Sequence, residues 1–294
     1  MATHRKTDEP TTLAFETAGL RWLTDAESDG GAPVVGILAE GEGWVDLDRL
    51  EHAPATPDAA AAFGRALART HAAGAPSLGC APPGWSGEVP RSSGVMPLHG
   101  HDDAPVFSSW GEFYAEYQIR PYVPRALANG SIDEGGGRVL EQLADRLAAG
   151  QFDHAQPALV GDGDGTGDGA ARLHGDLWGG NVVWTGGPRG SEGRGAAGAG
   201  PGRGCPERGG PGVRGVLIDP AAHGGHAETD LAALDLFGIA HLPEILAGYD
   251  EVSPLSDGWQ ERVGLHQLTM LVMHAVIFGG SYGPETVQVA RRYL

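Results

Sequence analysis

His174-Gly-Asp-Leu-Trp-Gly-Gly-Asn181, followed by Leu217-Ile-Asp-Pro220, is the stretch from which the rest of this chain can be read. An aspartate is followed five residues later by an asparagine, and then by a second aspartate at the end of an apolar run. Phosphoryl transfer needs three oxygen-bearing side chains in such roles. One carboxylate accepts the proton of the attacking hydroxyl, and two oxygen ligands hold a divalent cation on the nucleotide phosphates. Asp176 suits the first role, Asn181 and Asp219 the others. The first segment alone has a competing reading as a surface loop of Gly, Asp and Asn. Its pairing with Val216-Leu217-Ile218-Asp219 weighs against that reading, because the apolar run predicts a buried strand that delivers a carboxylate at its end. Arg172-Leu173 leads into His174 as a strand end would. Val182-Val183-Trp184 predicts a strand leaving the loop.

Composition narrows the classes. A chain of 294 residues suffices for one bilobal enzyme or two small domains. Its formal charge of −18 argues against nucleic acid as a partner, since binding would need a basic face. A nucleotide site stays possible, because a few local cations suffice. No apolar run approaches the ~20 residues of a membrane span. The segment Met1-Ala-Thr-His-Arg-Lys6 lacks the apolar core of a signal peptide. Cys80 and Cys205 are far apart and form no disulfide framework, so a reducing, cytoplasmic location is expected. Lys6 is the only lysine; every other basic residue is arginine.

The flanking elements are mostly helical. Leu13 to Leu23 has roughly helical apolar spacing, while Val34 to Leu38 and Trp44 to Leu50 predict two strands. Thr56-Pro57-Asp58 opens a helix with a cap, a first-turn proline and an acid at its positive end, and Gly74 ends it. Residues 75 to 108 are rich in Pro, Gly and Ser and predict a long loop. Ser109-Trp-Gly-Glu112 is a capping box, and the aromatic residues behind it, Trp110, Phe113, Tyr114, Tyr117 and Tyr122, predict a core stripe more than a ligand wall. Val139 to Leu147, Ala227 to Phe237 and Pro243 to Tyr249 predict further helices. Asp257 is expected to cap a long one that is apolar on most sides.

Two segments predict no core. Gly161 to Gly169 is a flexible linker: Asp162, Asp164, Thr166 and Gly167 half-match a calcium loop, but Leu173 stands where its glutamate should be. Gly186 to Gly212 is a glycine-rich insertion that is expected to be disordered. It lengthens the path from Asn181 to Asp219, and loop closure penalises length only slowly.

Taken together, these segments resemble the fructosamine kinase (ketosamine-3-kinase) family. The carriers are Phe15-Glu-Thr-Ala-Gly-Leu-Arg-Trp-Leu23, Phe63 to His71, Trp110-Gly-Glu-Phe-Tyr114, Leu173 to Asn181 and Ile218-Asp-Pro-Ala221. Gly225-His-Ala-Glu-Thr-Asp-Leu-Ala232, Leu236-Phe-Gly238 and Phe278-Gly-Gly-Ser-Tyr282 complete the set, in the expected order over nearly the whole chain. The resemblance implies an α+β, protein-kinase-like bilobal fold with an incomplete N-terminal β lobe and a mainly helical C-terminal lobe. Residues 1–50 would be the remnant of the ATP-binding lobe and hinge, and residues 51–294 the catalytic and substrate lobe.

It also implies roles. Asp176 would be the catalytic base, and Asn181 and Asp219 would ligate magnesium. Trp178 would stand against the sugar, although a core tryptophan is as good a reading of the residue alone. His174 and Asp230 would support the catalytic loop, Asp230 by accepting backbone N–H bonds. Backbone groups of Asp48 and Leu50 would meet adenine. His226 and Glu228 match the motif as well; His223 and His226 as a metal pair lack a third ligand. Family members carry a glycine-rich hairpin over the ATP phosphates and then a strand with a phosphate-binding lysine. This chain begins after the hairpin, with Lys6 near the place of that lysine and Glu16 matching its glutamate partner.

The expected activity is therefore ATP- and magnesium-dependent phosphorylation of a fructosamine, on a small amine or a protein lysine, for deglycation. A phosphotransferase acting on an aminoglycoside or choline is one alternative. A truncated, non-catalytic pseudokinase is the other.

Overall fold

A computed structural model describes residues 3–85, 89–91, 94–161, 169–186 and 212–294. The glycine-rich insertion and the Asp162–Thr166 loop fall, but for their ends, outside the described residues, as does Cys205. Strand β1 (Thr3–Thr7) turns Lys6 partly inward and leaves its other residues exposed. Two residues later helix α1 (Pro10–Asp25) begins, with proline in its first turn and the Glu9 carboxylate accepting from Thr12 N at 2.9 Å. The helix starts one turn earlier than apolar spacing suggests, because its first turn, Pro-Thr-Thr, carries no apolar signal. Strands β2 (Ile37–Gly41) and β3 (Trp44–Asp48) form a hairpin, and β3 is the centre of an antiparallel sheet in the order β1-β3-β2, with Lys6 opposite Val45. The first hairpin strand lies three residues later than expected: Val34 and Val35 pair instead with Leu217 of the other lobe. Leu13, Leu20, Val45 and Leu47 make a small core with Val35 and with Val216, which reaches in from that lobe.

Helix α2 (Pro57–Ala72) is capped by Thr56, whose hydroxyl accepts from Ala59 N at 3.2 Å. The long loop that follows contains a short hairpin, β4 (Val89–Arg91) and β5 (Gly94–Met96). Helix α3 (Trp110–Phe113) widens into a π turn over Tyr114–Ile119 and tightens to a 3-10 turn at Arg120–Tyr122. Pro121 has no N–H with which to continue an α-helical ladder there. The aromatic stripe is core: Trp110, Phe113, Tyr114 and Tyr122 are all buried. They pack with α4 (Val123–Ala128) and α5 (Glu134–Ala148).

After the one-turn α6 (Ala158–Gly161) come β6 (Ala171–Leu173), β7 (Val182–Gly186), β8 (Val213–Leu217) and β9 (His223–Gly225). They pair as two antiparallel ribbons, β6 with β9 and β7 with β8. Helices α7 (Ala227–Leu236), α8 (Leu242–Val252), α9 (Trp259–Phe278) and α10 (Tyr282–Ala290) complete the larger lobe. Asp257 does not cap α9. Gly258 stands at the cap in the left-handed region, and the Asp257 carbonyl is taken by Arg262 at 2.8 Å. Among the described residues, no helix is long and apolar enough to cross a membrane.

Helices α2 and α8 meet backbone to backbone. A methyl group on Gly64 would overlap the Ile245 carbonyl, and one on Gly248 would overlap that of Ala61. Gly→Ala inside a helix normally stabilises, by roughly 1 kcal/mol. At Gly64 the sign should reverse: Gly64→Ala is expected to destabilise by about 2 kcal/mol through overpacking, read as a lower denaturation midpoint. An unchanged midpoint would refute the close contact. The approach matters because α2 carries His71 and α8 carries Tyr249, which meet behind the site.

Candidate active site

The cleft between the lobes has two parts that share Lys6 and Asp219. One, of about 500 Å³, is lined by Asp8, Glu9, Glu16, Asp176 and Pro220 besides the shared pair. The other, of about 470 Å³, is more apolar and is lined by Val35, Leu47, Leu50, Val183 and Ile218, with Asp48 at its side.

The sole lysine is the pivot. Lys6 Nζ lies 2.7 Å from Glu16 Oε2 and 3.1 Å from Asp219 Oδ1. Burial by itself would lower the lysine's pKa, but the two carboxylates hold it above the usual range. The short sequence spacing suffices because only Asp8 and Glu9 separate β1 from α1, which aims Glu16 back at the strand.

Opposite it, the loop after β6 is fixed mainly by main-chain bonds. Asp230, on α7, is 1% exposed, and its carboxylate accepts from His174 N at 2.7 Å and Gly175 N at 3.0 Å. Burial opposes its ionisation, yet His71 and the loop amides outweigh burial and keep its pKa low. His71 Nε2 lies 3.2 Å from Asp230, and its Nδ1 lies 2.9 Å from the Tyr249 hydroxyl. His174 Nδ1 accepts from Asp176 N at 3.2 Å, so its Nε2–H donates to Ile218 O at 2.9 Å. That one ring ties the Asp176 loop to the residue before Asp219. A side chain on Gly175 (φ +78°) would overlap Ala221 O, so the loop needs glycine there.

Asn181 Nδ2 donates to Asp176 O at 2.7 Å, which leaves Asn181 Oδ1 as an acceptor. Asp219 has φ +54°, a left-handed conformation that Asp tolerates better than most residues and one that recurs at functional sites. Its carboxylate is 42% exposed and lines both parts of the cleft. An amide oxygen and a carboxylate form a donor set suited to a hard cation such as magnesium.

The structure thus gathers Lys6, Glu16, Asp176 and Asp219 around one chamber and places Asp48 and Leu50 at the other. Asp48 N–H is already given to Gly36 O at 2.9 Å, so it is not available to a ligand. Trp178 lines neither part; it is 41% exposed and stands edge-on to Phe237 at 6.2 Å. His71 and Tyr249 were not legible as site support, because nothing in their spacing links them to Asp230.

A slot that opens onto an ion-paired lysine, next to a carboxylate-lined chamber, is the cleft of a protein-kinase-like phosphotransferase. An aminopropanol kinase structure shares the fold over 99% of this chain (TM-score 0.52, 14% identity) and covers 82% of its own length. The chain belongs to the fructosamine kinase family, whose profile matches residues 5–294. A solved Thermobifida fusca protein, provisionally assigned as a fructosamine-3-kinase, is 33% identical with a TM-score of 0.73, over 99% of this chain and 85% of that one. The probable ketoamine kinase slr1563 of Synechocystis is 28% identical over 264 residues, 89% of this chain and 71% of that protein. The probable ketoamine kinase YniA of Escherichia coli K12 is 32% identical over 177 residues, 59% of this chain and 46% of that protein.

Proposed function

We propose that this chain transfers the terminal phosphoryl group of ATP to a sugar hydroxyl of a fructosamine, in the cytoplasm, as a step in deglycation. The observation that carries the reading is the placement of Asp176 in the chamber shared with Lys6 and Asp219, within a chain matched by the fructosamine kinase profile almost throughout. Bound ATP would supply the phosphoryl donor, with magnesium as counter-charge. Asn181 and Asp219 would hold that ion, and Lys6, oriented by Glu16, would hold the phosphates. The apolar slot beside Leu50 would take the adenine.

Asp176 would accept the proton as the substrate oxygen bonds to phosphorus and the bond to ADP breaks. No covalent enzyme intermediate is needed; positioning and charge neutralisation carry the reaction. Trp178 would flank the sugar from outside the chamber. The phosphorylated adduct is the labile species, so the amine would be released after transfer.

The test is ATP consumption with fructosyl-lysine, choline and an aminoglycoside, and mass spectrometry of each product. Phosphorylation of fructosyl-lysine with little of the others is expected. Turnover confined to choline or the aminoglycoside would replace the substrate class, and no turnover by the folded chain would favour a non-catalytic role.

A further inference from the structure

Four side chains face one another in the larger lobe, away from the cleft. They are His154 in the loop after α5, His226 and Glu228 at the start of α7, and His266 in α9. The side chains of His154, Glu228 and His266 are 9%, 4% and 0% exposed. The Nε2 atoms of His154 and His266 are 3.1 Å apart, and each is 3.4 Å from Glu228 Oε2. Ligand atoms set tetrahedrally about zinc at ~2.0–2.1 Å would be ~3.3 Å from one another. The triangle already has nearly that size.

The far sides of both rings are occupied as metal-binding histidines require. His154 Nδ1–H donates to Phe152 O at 2.7 Å, which turns a bare Nε2 lone pair inward. His266 Nδ1 lies 2.9 Å from the Thr229 hydroxyl, which can accept its proton. In the metal-free protein His266 Nε2–H can donate to His154 Nε2. On binding, that proton would move to His266 Nδ1 and the Thr229 hydroxyl would turn to accept it, so none need be lost.

We propose that His154, His266 and Glu228 bind a divalent transition-metal ion, with zinc the best match to two imidazoles and a carboxylate. His226 completes the cluster, all four candidate ligand atoms lying within 4.8 Å. Its Nδ1, however, accepts from Glu228 N at 3.2 Å, so its Nε2 carries the proton and faces Ala155 O at 3.3 Å; the fourth position is left to water. Arg262 donates to Glu228 Oε2 at 2.9 Å and also bonds Oε1. A carboxylate has lone pairs for both partners, but the guanidinium charge should make the site weaker than a closed structural zinc centre. The ligands come from three separate segments, and Glu228 is two residues before Asp230. The ion would therefore clip together the base on which the catalytic loop rests. It is distinct from any ion held by Asn181 and Asp219.

The test uses the full chain freed of any affinity tag, stripped with chelator and then dialysed, with cobalt(II) as a visible probe and zinc(II) for stability. One equivalent of cobalt with tetrahedral absorption bands, and a higher melting temperature with zinc, are expected. His154→Gln and His266→Gln, each checked for folding by circular dichroism, should lose both responses, while Asp219→Asn keeps them. The proposal fails if folded wild type takes up no stoichiometric cobalt. It fails equally if uptake survives in either histidine variant or disappears in Asp219→Asn.

Discussion

Asp176→Asn is expected to lower turnover by about 10²–10⁴-fold, the range that a positioned general base contributes. That is roughly 3–5 kcal/mol of transition-state stabilisation. The substitution keeps the shape of the side chain and removes its ability to take a proton. The loop should survive it, because the bonds that shape this segment use the backbone: Asp176 N donates to His174 Nδ1, and Asp176 O accepts from Asn181. Asp230 grips the loop just upstream, at His174 and Gly175. The melting temperature should therefore stay close to that of the wild type. Wild-type-like turnover in a folded Asp176→Asn protein would remove Asp176 from the role of base.

The reach of the sequence differs from residue to residue. The Asp176–Asn181 segment and Asp219 stood out as a candidate site because phosphoryl transfer would need such residue types in such an order, and the short apolar runs beside them announced the flanking strands that the structure has. Cap residues placed α2 correctly, since Thr56-Pro57-Asp58 acts through local bonds. The cap of α9 was misplaced by one residue, because glycine can start a helix with no side-chain bond. Long-range pairing was hidden. Val34 and Val35 have strand-forming side chains, but their partner, Leu217, is far along the chain and on the other lobe. The same holds for the brace: His71, Tyr249 and Asp230 meet only because α2 and α8 pack closely at Gly64 and Gly248. His154 and His266 likewise come from unrelated segments, so sequence spacing could offer His226 only His223 as a metal partner. In the structure His223 Nδ1 is bonded to Ala221 O at 2.8 Å instead.

Lys6→Met should be the second large effect, and it separates function from structure. If Lys6 holds the nucleotide phosphates, losing a preorganised cation should lower kcat/KM for ATP by about 10²–10³-fold, mostly through a weaker grip on the phosphates as charge builds on them. The same change also strands Glu16. That carboxylate is 9% exposed, its Oε1 has no hydrogen-bond partner among the described residues, and Lys6 is the cation on Oε2. An unpaired buried carboxylate destabilises a fold, so the single variant should melt earlier than wild type. Adding Glu16→Gln removes the stranded charge. The double variant should regain most of the lost melting temperature and none of the lost kcat/KM. Recovery of both would mean that Lys6 serves the fold and not the nucleotide. An unaltered kcat/KM for ATP in Lys6→Met alone would mean the same, and the phosphates would then need another cation in the cleft, for which Arg49, in the lining of the apolar slot, is the candidate.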